Sequence, residues 1–308
     1  MVWPRQNTSK QRKVQTMRKD FAKEISQQVI QLMQEHGSDW AKPWMDQAGM
    51  GHKNAVSGKE YRGTNTFITA LSCYKQGFAS NEWASFKQWQ AKGAKVKKGQ
   101  KGTHIIFYDS KVIEDRETQE EKRIFILKGW PVFNADQVDG YEPKPIEKPD
   151  NKVKPVDRAD QLVVNSGAIV KTGGNRAFYT KEQDFIQMPD PAAFTGTETS
   201  TPQESYYSTL LHEMIHWSGH KSRLDRPLGN RFGSNAYAFE ELIAEMGSVF
   251  AGIALGVNAE PRPDHAKYLN NWLEVLKDND RAMISAFGKA QKAADYLLEF
   301  DQQAEKAA

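Results

Sequence analysis

The sequence predicts an α+β protein with two domains, and three observations support that prediction. The chain has 308 residues, a length that favours two domains. Hydrophobic residues make up 39% of the chain and charged residues 26%, a balance typical of globular proteins with apolar cores. Strand-like runs and stretches of helical periodicity occur in both halves of the chain, so we expect helices and strands in each domain.

A proline-rich segment divides the chain into the two predicted domains. Residues 141–157 contain four prolines and show no apolar periodicity. Alternating charges and prolines favour an extended, semi-rigid spacer. We therefore predict an N-terminal domain over residues 1–145, a linker over 146–160 and a C-terminal domain over 161–308.

The N-terminal domain is predicted to contain helices followed by a pair of strands. Apolar residues at helical spacing predict a helix from about Thr16 to Gln34. Shorter helices are predicted at residues 65–77 and 86–90. Two β-like runs at 104–109 and 123–133, joined by a charged turn, are predicted to be strands.

The C-terminal domain is predicted to begin with strands and to continue as helices. Strand-like runs occupy residues 168–172, 176–180 and 184–189, and the turn signal Gly173-Gly174-Asn175 predicts a hairpin between the first two. The remaining helices are predicted over Pro202–Ser218, Ala236–Leu255, 264–277 and 280–299.

Charge is distributed unevenly along the chain. The net charge is only +3, but residues 1–112 carry 19 Lys and Arg against 8 Asp and Glu, a net of +11. The remaining residues therefore carry a net of −8. A strongly basic half predicts a polyanionic partner, of which nucleic acid is the commonest.

Features that would direct the chain to a membrane or out of the cell are not recognisable. No secretory signal opens the sequence, and its longest apolar stretch is too short to span a bilayer. The single cysteine, Cys73, fits a reducing compartment and is expected to be a buried small apolar residue. We therefore predict a cytoplasmic protein without a membrane partner.

The basic half offers a loop and a set of aromatic residues for binding single-stranded DNA. Lysines in a glycine-containing loop suit phosphate contacts without base readout. Aromatic side chains between cations suit base stacking, although burial in the core is the better interpretation for any single one. The candidate residues are Lys92, Lys95, Lys97, Lys98 and Lys101 in the loop and Trp40, Trp44, Tyr61 and Trp83 among the aromatics.

A metal site is predicted on the helix that starts after Thr201. Thr201, Pro202 and Glu204 form a capping-box pattern that fixes the start of this helix. His212 and His216 lie four residues apart, so their imidazoles share one helical face and suit one Zn²⁺ ion. Glu213, next to the first ligand, is the candidate general base for activating water.

The third metal ligand is predicted on the following helix. Glu241 and Glu245 lie on its apolar side, where a carboxylate needs a partner. We assign Glu241 as the ligand and Glu245 as the residue that orients a histidine, although these roles could be exchanged. His220 is predicted to orient a ligand or to be structural, and Mn²⁺ or Co²⁺ would also suit these ligands.

Two tyrosines are candidates for stabilising an oxyanion during hydrolysis. Tyr179 lies in a predicted strand and Tyr206 in the metal-binding helix. For each of them, packing of the ring is the better interpretation.

The sequence resembles the ArdC antirestriction family, whose N-terminal part is similar to the N-terminal region of the plasmid primase TraC. The matching segments are Trp40–Trp44, Tyr61–Asn65, Trp83–Lys87, Val132–Asn134, Arg176–Tyr179, the run HEMIHWSGH from His212, Glu240–Glu245 and the region from Trp272 to Ala294. The resemblance implies an N-terminal domain that binds single-stranded DNA and a C-terminal zincin-like metallopeptidase domain. It also implies protection of incoming plasmid DNA from host restriction, and it adds Arg62 and Lys87 as candidate DNA contacts.

Two further functions fit the same residues. The chain could be a regulatory metalloprotease that cuts a DNA-bound protein, with a host restriction or regulatory protein as its substrate. Alternatively, it could be a DNA-binding antirestriction factor whose metal site is structural.

Overall fold

The protein is described by a computed structural model that covers residues 20–114, 121–146, 155–196, 200–228, 235–257, 269–279 and 281–307. Both halves mix helices and strands, which confirms the predicted fold class. None of the helices in these residues is both long and apolar enough to cross a membrane.

Three helices form much of the N-terminal half. Helix α1 spans Phe21–His36, α2 spans Lys42–Ala48 and α3 spans Thr64–Gln76. Asp20 caps α1 because its side chain accepts hydrogen bonds from two backbone amides of the first turn. The helices predicted at about Thr16–Gln34 and at residues 65–77 correspond to α1 and α3, and both are confirmed where they lie within the described residues.

A four-stranded sheet packs against these helices. Its strands are β1 (Lys53–Asn54), β2 (Glu82–Ala84), β4 (Thr103–Glu114) and β5 (Glu121–Asn134), in the order β1-β2-β5-β4. The long antiparallel pair β4–β5 extends the two strands predicted from the sequence. A smaller unit follows β2: α4 (Phe86–Ala91) leads to β3 (Lys95–Val96), which pairs with β6 (Val138–Asp139).

Close contacts fix the long strand pair in place. Gly129 of β5 lies under the ring of Phe21, where a Cβ atom would come within 2.1 Å of the ring carbon Cζ. On the free edge of the sheet, the side-chain amide of Asn65 donates to the carbonyl of Ile106 at 2.9 Å and accepts from its N–H at 2.8 Å. Asn65 thereby takes the place of a neighbouring strand at this point of β4.

His52, Gln47 and Trp83 form a buried hydrogen-bond network next to strands β1 and β2. His52 is 1% exposed. Its Nε2 donates to the carbonyl of Gln47 at 2.8 Å, and its Nδ1 accepts from the indole N–H of Trp83 at 2.9 Å. Burial lowers the pKa of His52 to about 4, against the opposing hydrogen bond to Gln47. Nearby Cys73 is buried, as predicted, and burial and the charge of Asp136 raise its pKa to about 12.

The C-terminal half begins with a helix and a small sheet. Helix α5 spans Pro155–Ser166, and the strands are β7 (Ile169–Thr172), β8 (Phe178–Thr180) and β9 (Phe185–Met188). The predicted hairpin between the first two strands is wrong. The sheet order is β7-β9-β8, so β7 pairs in parallel with β9, and β8 pairs antiparallel with β9.

Helices complete the C-terminal half. They are α6 (Pro202–Ser218), α7 (Asn235–Leu255), α8 (Leu269–Asp278) and α9 (Ala282–Ala307). Helix α6 matches its predicted bounds. Helices α6 and α7 approach closely because Gly247 lies against Ile215, where a Cβ atom would come within 2.9 Å of Cδ1.

The two halves share one hydrophobic core and are not held apart by a spacer. The rings of Trp44 and Phe67 stack edge to face at 5.1 Å, and Phe67 contacts Phe287 of α9 at 5.0 Å. The last part of the predicted linker is helical, since α5 starts at Pro155, so an extended spacer is wrong for those residues. Linker residues 147–154 lie outside the described part of the chain, and the domain boundaries stay a prediction.

Candidate metal centre

Helix α6 starts where the capping box predicts. Thr201 Oγ1 accepts from the N–H of Glu204 at 3.2 Å, while Glu204 Oε2 accepts from the N–H of Thr201 at 2.8 Å. Proline at the first position needs no hydrogen-bond partner for its nitrogen. This fixed start sets the rotation of the helix and places the buried His212 against α7.

Three side chains converge between α6 and α7. The Nε2 atoms of His212 and His216 lie 3.2 Å apart. The carboxylate of Glu241 lies 3.5 Å from Nε2 of His212 and 3.6 Å from Nε2 of His216. A tetrahedral Zn²⁺ with bonds of about 2.0–2.2 Å would separate its ligand atoms by roughly 3.3–3.6 Å. The donor types and spacings therefore fit one divalent ion.

The opposite ring nitrogens of both histidines face carboxylates of α7. Nδ1 of His212 lies 3.6 Å from Oε2 of Glu245, and Nδ1 of His216 lies 3.3 Å from Oε1 of Glu240. For His216 this contact is within hydrogen-bond distance, which favours a proton on Nδ1 and leaves Nε2 as a lone-pair donor. The structure thus places Glu241 with the ligand atoms and Glu245 behind a histidine. That all of them serve an ion stays a prediction.

Glu240 and Glu241 are held in their charged form. Burial would raise the pKa of Glu241, but its hydrogen bond to His212 and the charges of His216 and His212 outweigh burial and lower it. For Glu240, burial is likewise outweighed, by His216 and the guanidinium of Arg226, so its pKa is also lowered. Charged oxygens are the form that a cation requires.

Glu213 and His220 have different surroundings. Glu213 is 3% exposed and lies three residues before His216, on an adjacent part of the helix surface. His220 follows the end of α6, and its Nδ1 lies 2.7 Å from Oγ of Ser222. This contact fits a structural role after the helix, and the choice between that role and the orientation of a metal ligand stays a prediction.

The two candidate tyrosines are engaged in packing and in other hydrogen bonds. Tyr179 donates to Asp184 at 2.9 Å, and burial together with this hydrogen bond raises its pKa. Tyr206 packs edge to face on Phe194 at 5.3 Å. A tyrosine that sequence reasoning missed, Tyr237, hydrogen-bonds the carboxylate of Glu241 from one helical turn before it.

Two other residues of this centre have contacts that the sequence did not predict. Glu240 was one of three glutamates considered on this helix for the third ligand, but its contact with Nδ1 of His216 was not predicted. Arg226, which is 8% exposed and hydrogen-bonded to both oxygens of Glu240, carries no signal in the sequence because it lies outside any periodic element.

The structure corrects the predicted aromatic surface of the N-terminal half. Trp40, Trp44 and Trp83 are at most 1% exposed, so their assignment as base-stacking residues is wrong. They fill the core because the indole ring offers more apolar area than any other side chain. Tyr61 is partly buried and packs against the same core.

The predicted cationic residues lie at the surface. Lys87 and the five loop lysines, Lys92, Lys95, Lys97, Lys98 and Lys101, are all exposed. Nζ of Lys97 donates to the carbonyl of Asp136 at 2.9 Å, and Nζ of Lys92 lies 5.4 Å from the centre of the Tyr141 ring. The side chain of Arg62 is 59% exposed and pairs with Asp295 of α9.

A different pair of aromatic rings is exposed on the sheet. Trp130 is 57% exposed and Phe107 is 47% exposed. In the β4–β5 register, Trp130 lies opposite Ile105 and Phe107 lies opposite the exposed Lys128. Opposed residues and residues two apart share one face of a sheet, so both rings and Lys128 lie on the same face.

Comparison with known proteins covers both halves of the chain. The family model described as the N-terminal domain of anti-restriction factor ArdC matches residues 19–133, and the one described as zincin-like metallopeptidase matches 157–289. The chain is 35% identical to the uncharacterized protein y4eC of Sinorhizobium fredii (strain NBRC 101917 / NGR234), over 90% of this chain and 91% of that protein. It is 34% identical to a DNA primase TraC of Escherichia coli, covering 93% of this chain but only 28% of the primase.

Two crystal structures share the fold over nearly their whole length. The metal-free antirestriction ArdC protein from plasmid R388 superposes with a TM-score of 0.76 at 35% identity, covering 92% of this chain and 99% of that one. Its Mn(II)-bound form superposes with a TM-score of 0.74. Because this similarity spans the mixed N-terminal half and the candidate metal centre alike, the chain belongs to the ArdC antirestriction family.

Proposed function

We propose that this chain is an antirestriction protein that protects incoming DNA during conjugation, with an N-terminal half that binds single-stranded DNA and a C-terminal metallopeptidase centre. The observation that supports it most strongly is the convergence of His212, His216 and Glu241 beside the buried Glu213. Family membership supplies the antirestriction context.

The donor set of the centre indicates how it would work. His212 and His216 would donate Nε2 lone pairs and Glu241 a carboxylate oxygen to the ion. When bound, a divalent ion supplies a Lewis acid that acidifies water and polarises a carbonyl. Glu213 would take the proton from the attacking water and deliver it to the leaving amine. Glu245 and Glu240 would hold the two imidazoles in their ligating tautomer.

The identity of the ion is part of the proposal. Two imidazoles and one carboxylate are typical ligands for catalytic zinc, and they also accept manganese or cobalt. The R388 protein is known in an Mn(II)-bound form, which makes manganese the first alternative to test.

The test of the centre is metal content followed by hydrolysis. We expect mass spectrometry of the intact protein to find about one divalent ion per chain, as for a single site. Glu213→Gln should keep that ion and lower any peptide cleavage by about 10²–10⁴-fold. Cleavage that persists in Glu213→Gln would contradict the assigned general base, and wild type that binds no ion after zinc and manganese are supplied would contradict the centre.

A restriction assay in cells separates the competing functions. Loss of protection with Glu213→Gln supports a role for hydrolysis in antirestriction. Full protection with this variant favours a DNA-binding factor with a structural metal site. Disappearance of one host protein only when Glu213 is intact favours a protease with a DNA-bound substrate.

For DNA binding we propose the exposed part of the β4–β5 face around Trp130 and Phe107 as the stacking surface. Trp130 and Phe107 present rings to solvent beside Lys128, and the lysine loop of the same half supplies further cations. Stacking on aromatic rings combined with phosphate contacts suits single strands without sequence preference. The basic charge of residues 1–112 matches a polyanion.

The test uses fluorescence anisotropy with a labelled oligothymidine. Trp130→Ala should weaken binding by about tenfold, since each lost stack costs about 1–3 kcal/mol. Tyr74→Ala is the matched control because Tyr74 is also 46% exposed in this half but lies on α3. Equal affinities for the two variants would argue against this face, and affinity that does not fall with salt would argue against phosphate contacts.

A further inference from the structure

The Arg226 guanidinium is buried between α6 and α7. Its Nη1 donates to Oγ of Ser218 at 2.9 Å, and its Nη2 donates to the carbonyl of Ile215 at 2.6 Å. Its Nη2 and Nε also donate to the two oxygens of Glu240, at 2.7 and 3.2 Å. A two-point contact between planar groups fixes the orientation of a carboxylate as well as its position.

Glu240 connects this guanidinium to a candidate ligand. The oxygen that receives Nη2 of Arg226, Oε1, also lies 3.3 Å from Nδ1 of His216. An acceptor at Nδ1 keeps the proton on that nitrogen. The lone pair of Nε2 then points towards Nε2 of His212, 3.2 Å away, where the ion would lie.

The end of α6 is shaped to receive Arg226. A Cβ atom at Gly219 would lie 2.8 Å from Nη2 of Arg226 and 2.7 Å from Cδ2 of Leu228, so a larger residue there would have to displace one or both of these side chains. The backbone N–H of Arg226 donates to the carbonyl of Gly219 at 3.0 Å. Ser218 and Gly219 of the HEMIHWSGH motif therefore contact Arg226, whereas His212 and His216 are the candidate metal ligands.

We infer that Arg226 and Glu240 are positioning residues of the metal centre, acting through His216. Arg226 locks the carboxylate of Glu240, and Glu240 fixes the ring rotation and tautomer of His216. This inference rests on the proposed metal-binding function. It predicts that the pair contributes to metal affinity, which an ion pair serving only the fold would not do.

A partly buried ion pair provides a control. Nη2 of Arg158 lies 2.5 Å from Oδ2 of Asp301, with side chains 23% and 15% exposed, and Arg158 also donates to helix-terminal carbonyls of α7. This pair joins α5, α7 and α9 without contacting a candidate ligand. Asp301→Asn therefore reports the cost of losing a comparable charge pair without disturbing His216.

The experiment compares Glu240→Gln, Arg226→Lys and Asp301→Asn in the full chain. Zn²⁺ and Mn²⁺ affinities are measured by competition with a chelator, and unfolding of the metal-free protein is measured in parallel. We expect Glu240→Gln and Arg226→Lys to weaken metal binding by about 10–100-fold. Asp301→Asn should leave affinity within about twofold while it lowers stability to a similar extent.

The outcomes separate the inference from the function on which it rests. Wild-type affinity in Glu240→Gln and Arg226→Lys, with stability lowered as in Asp301→Asn, would overturn the positioning role while leaving the metal centre intact. Absence of metal binding in wild type would instead overturn the proposed centre. If Arg226→Lys does not fold, Glu240→Gln decides alone, because it preserves the shape of the side chain and removes only its charge.

Discussion

His52 on one side, and His212 with His216 on the other, show how a structural site and a ligand site differ. Both ring nitrogens of His52 contact neutral groups of fixed type, a backbone carbonyl and an indole N–H. His212 and His216 instead turn their Nδ1 atoms to carboxylates and their Nε2 atoms towards each other. Two Nε2 lone pairs at 3.2 Å repel one another unless a proton or a cation lies between them.

The two sites differ in whether the protein alone satisfies their hydrogen bonds and charges. The hydrogen bonds of His52 are complete within the protein, so this site needs no ligand. The site on α6 and α7 brings three carboxylates to two imidazoles. Glu240 is paired with Arg226, and the negative charge of Glu241 and Glu245 suits a divalent cation. The contacts of both ring nitrogens thus distinguish the two sites, whereas burial does not.

The largest effect should come from removing the ligand histidines. We expect His212→Ala, His216→Ala to reduce bound metal from about one ion per chain to background, since two of three protein ligands are lost. His52→Ala should keep the ion while it destabilises the N-terminal half. Metal analysis of both proteins checks this, and metal loss in His52→Ala would break the distinction between the sites.

Lowering the pH should reduce the stability of the folded protein through His52. An unfolded chain protonates histidine near pH 6.5, whereas folded His52 resists protonation down to about pH 4. Between these values the unfolded state binds more protons, so stability present above pH 6.5 is lost as pH falls towards 4, by up to about 3 kcal/mol. Denaturant unfolding at several pH values should show a shallower slope for His52→Gln, and an unchanged slope for His36→Gln, which replaces an exposed histidine. Equal slopes for His52→Gln and wild type would contradict the shifted pKa.

The hydrogen bond from Trp83 to His52 should contribute less to the free energy of unfolding than the protonation of His52 changes it. Trp83→Phe keeps an aromatic ring but leaves Nδ1 of His52 without its donor, and we expect the free energy of unfolding to fall by about 1–3 kcal/mol. Trp130→Phe, at an exposed position, should change it by less than about 0.5 kcal/mol. Similar losses in both would mean that the indole N–H contributes nothing measurable.

The smallest effect should come from a charge pair that lies in neither site. Arg62 and Asp295 join the two halves at the surface, with side chains 59% and 37% exposed. Screening by water limits such pairs to less than about 1 kcal/mol. A double-mutant cycle with Arg62→Ala and Asp295→Ala measures the coupling, and a value near that of a buried pair would show that the interface between the halves is drier than its exposure indicates.

The parts of the structure that were predictable are those set by local chemistry. Helix α6 follows from its capping box, and the convergence of His212 and His216 follows from helical spacing. The pairing of β7 with β9 could not be predicted, because the choice between neighbouring strands depends on contacts between residues distant in sequence. Arg226 was missed for the same reason, since it meets Glu240 across 14 positions of sequence.

The tryptophans illustrate a second limit of the sequence. Composition and charge indicated a surface with aromatic rings and cations, but not which rings reach it. Trp83 and Trp130 both lie in strands, and the register places them on the same face of the sheet, so the position along the sheet and not the alternation of faces separates the buried ring from the exposed one.

The contact between Asn65 and Ile106 has a consequence for association between copies of the chain. Strand β4 is an edge strand, and an unpaired edge invites a foreign strand to add to the sheet. Because the amide of Asn65 already occupies the N–H and carbonyl of Ile106, an incoming strand finds no partner there. Replacing Asn65 with leucine would reopen this stretch of edge, so we expect that substitution to promote self-assembly through β-sheet extension.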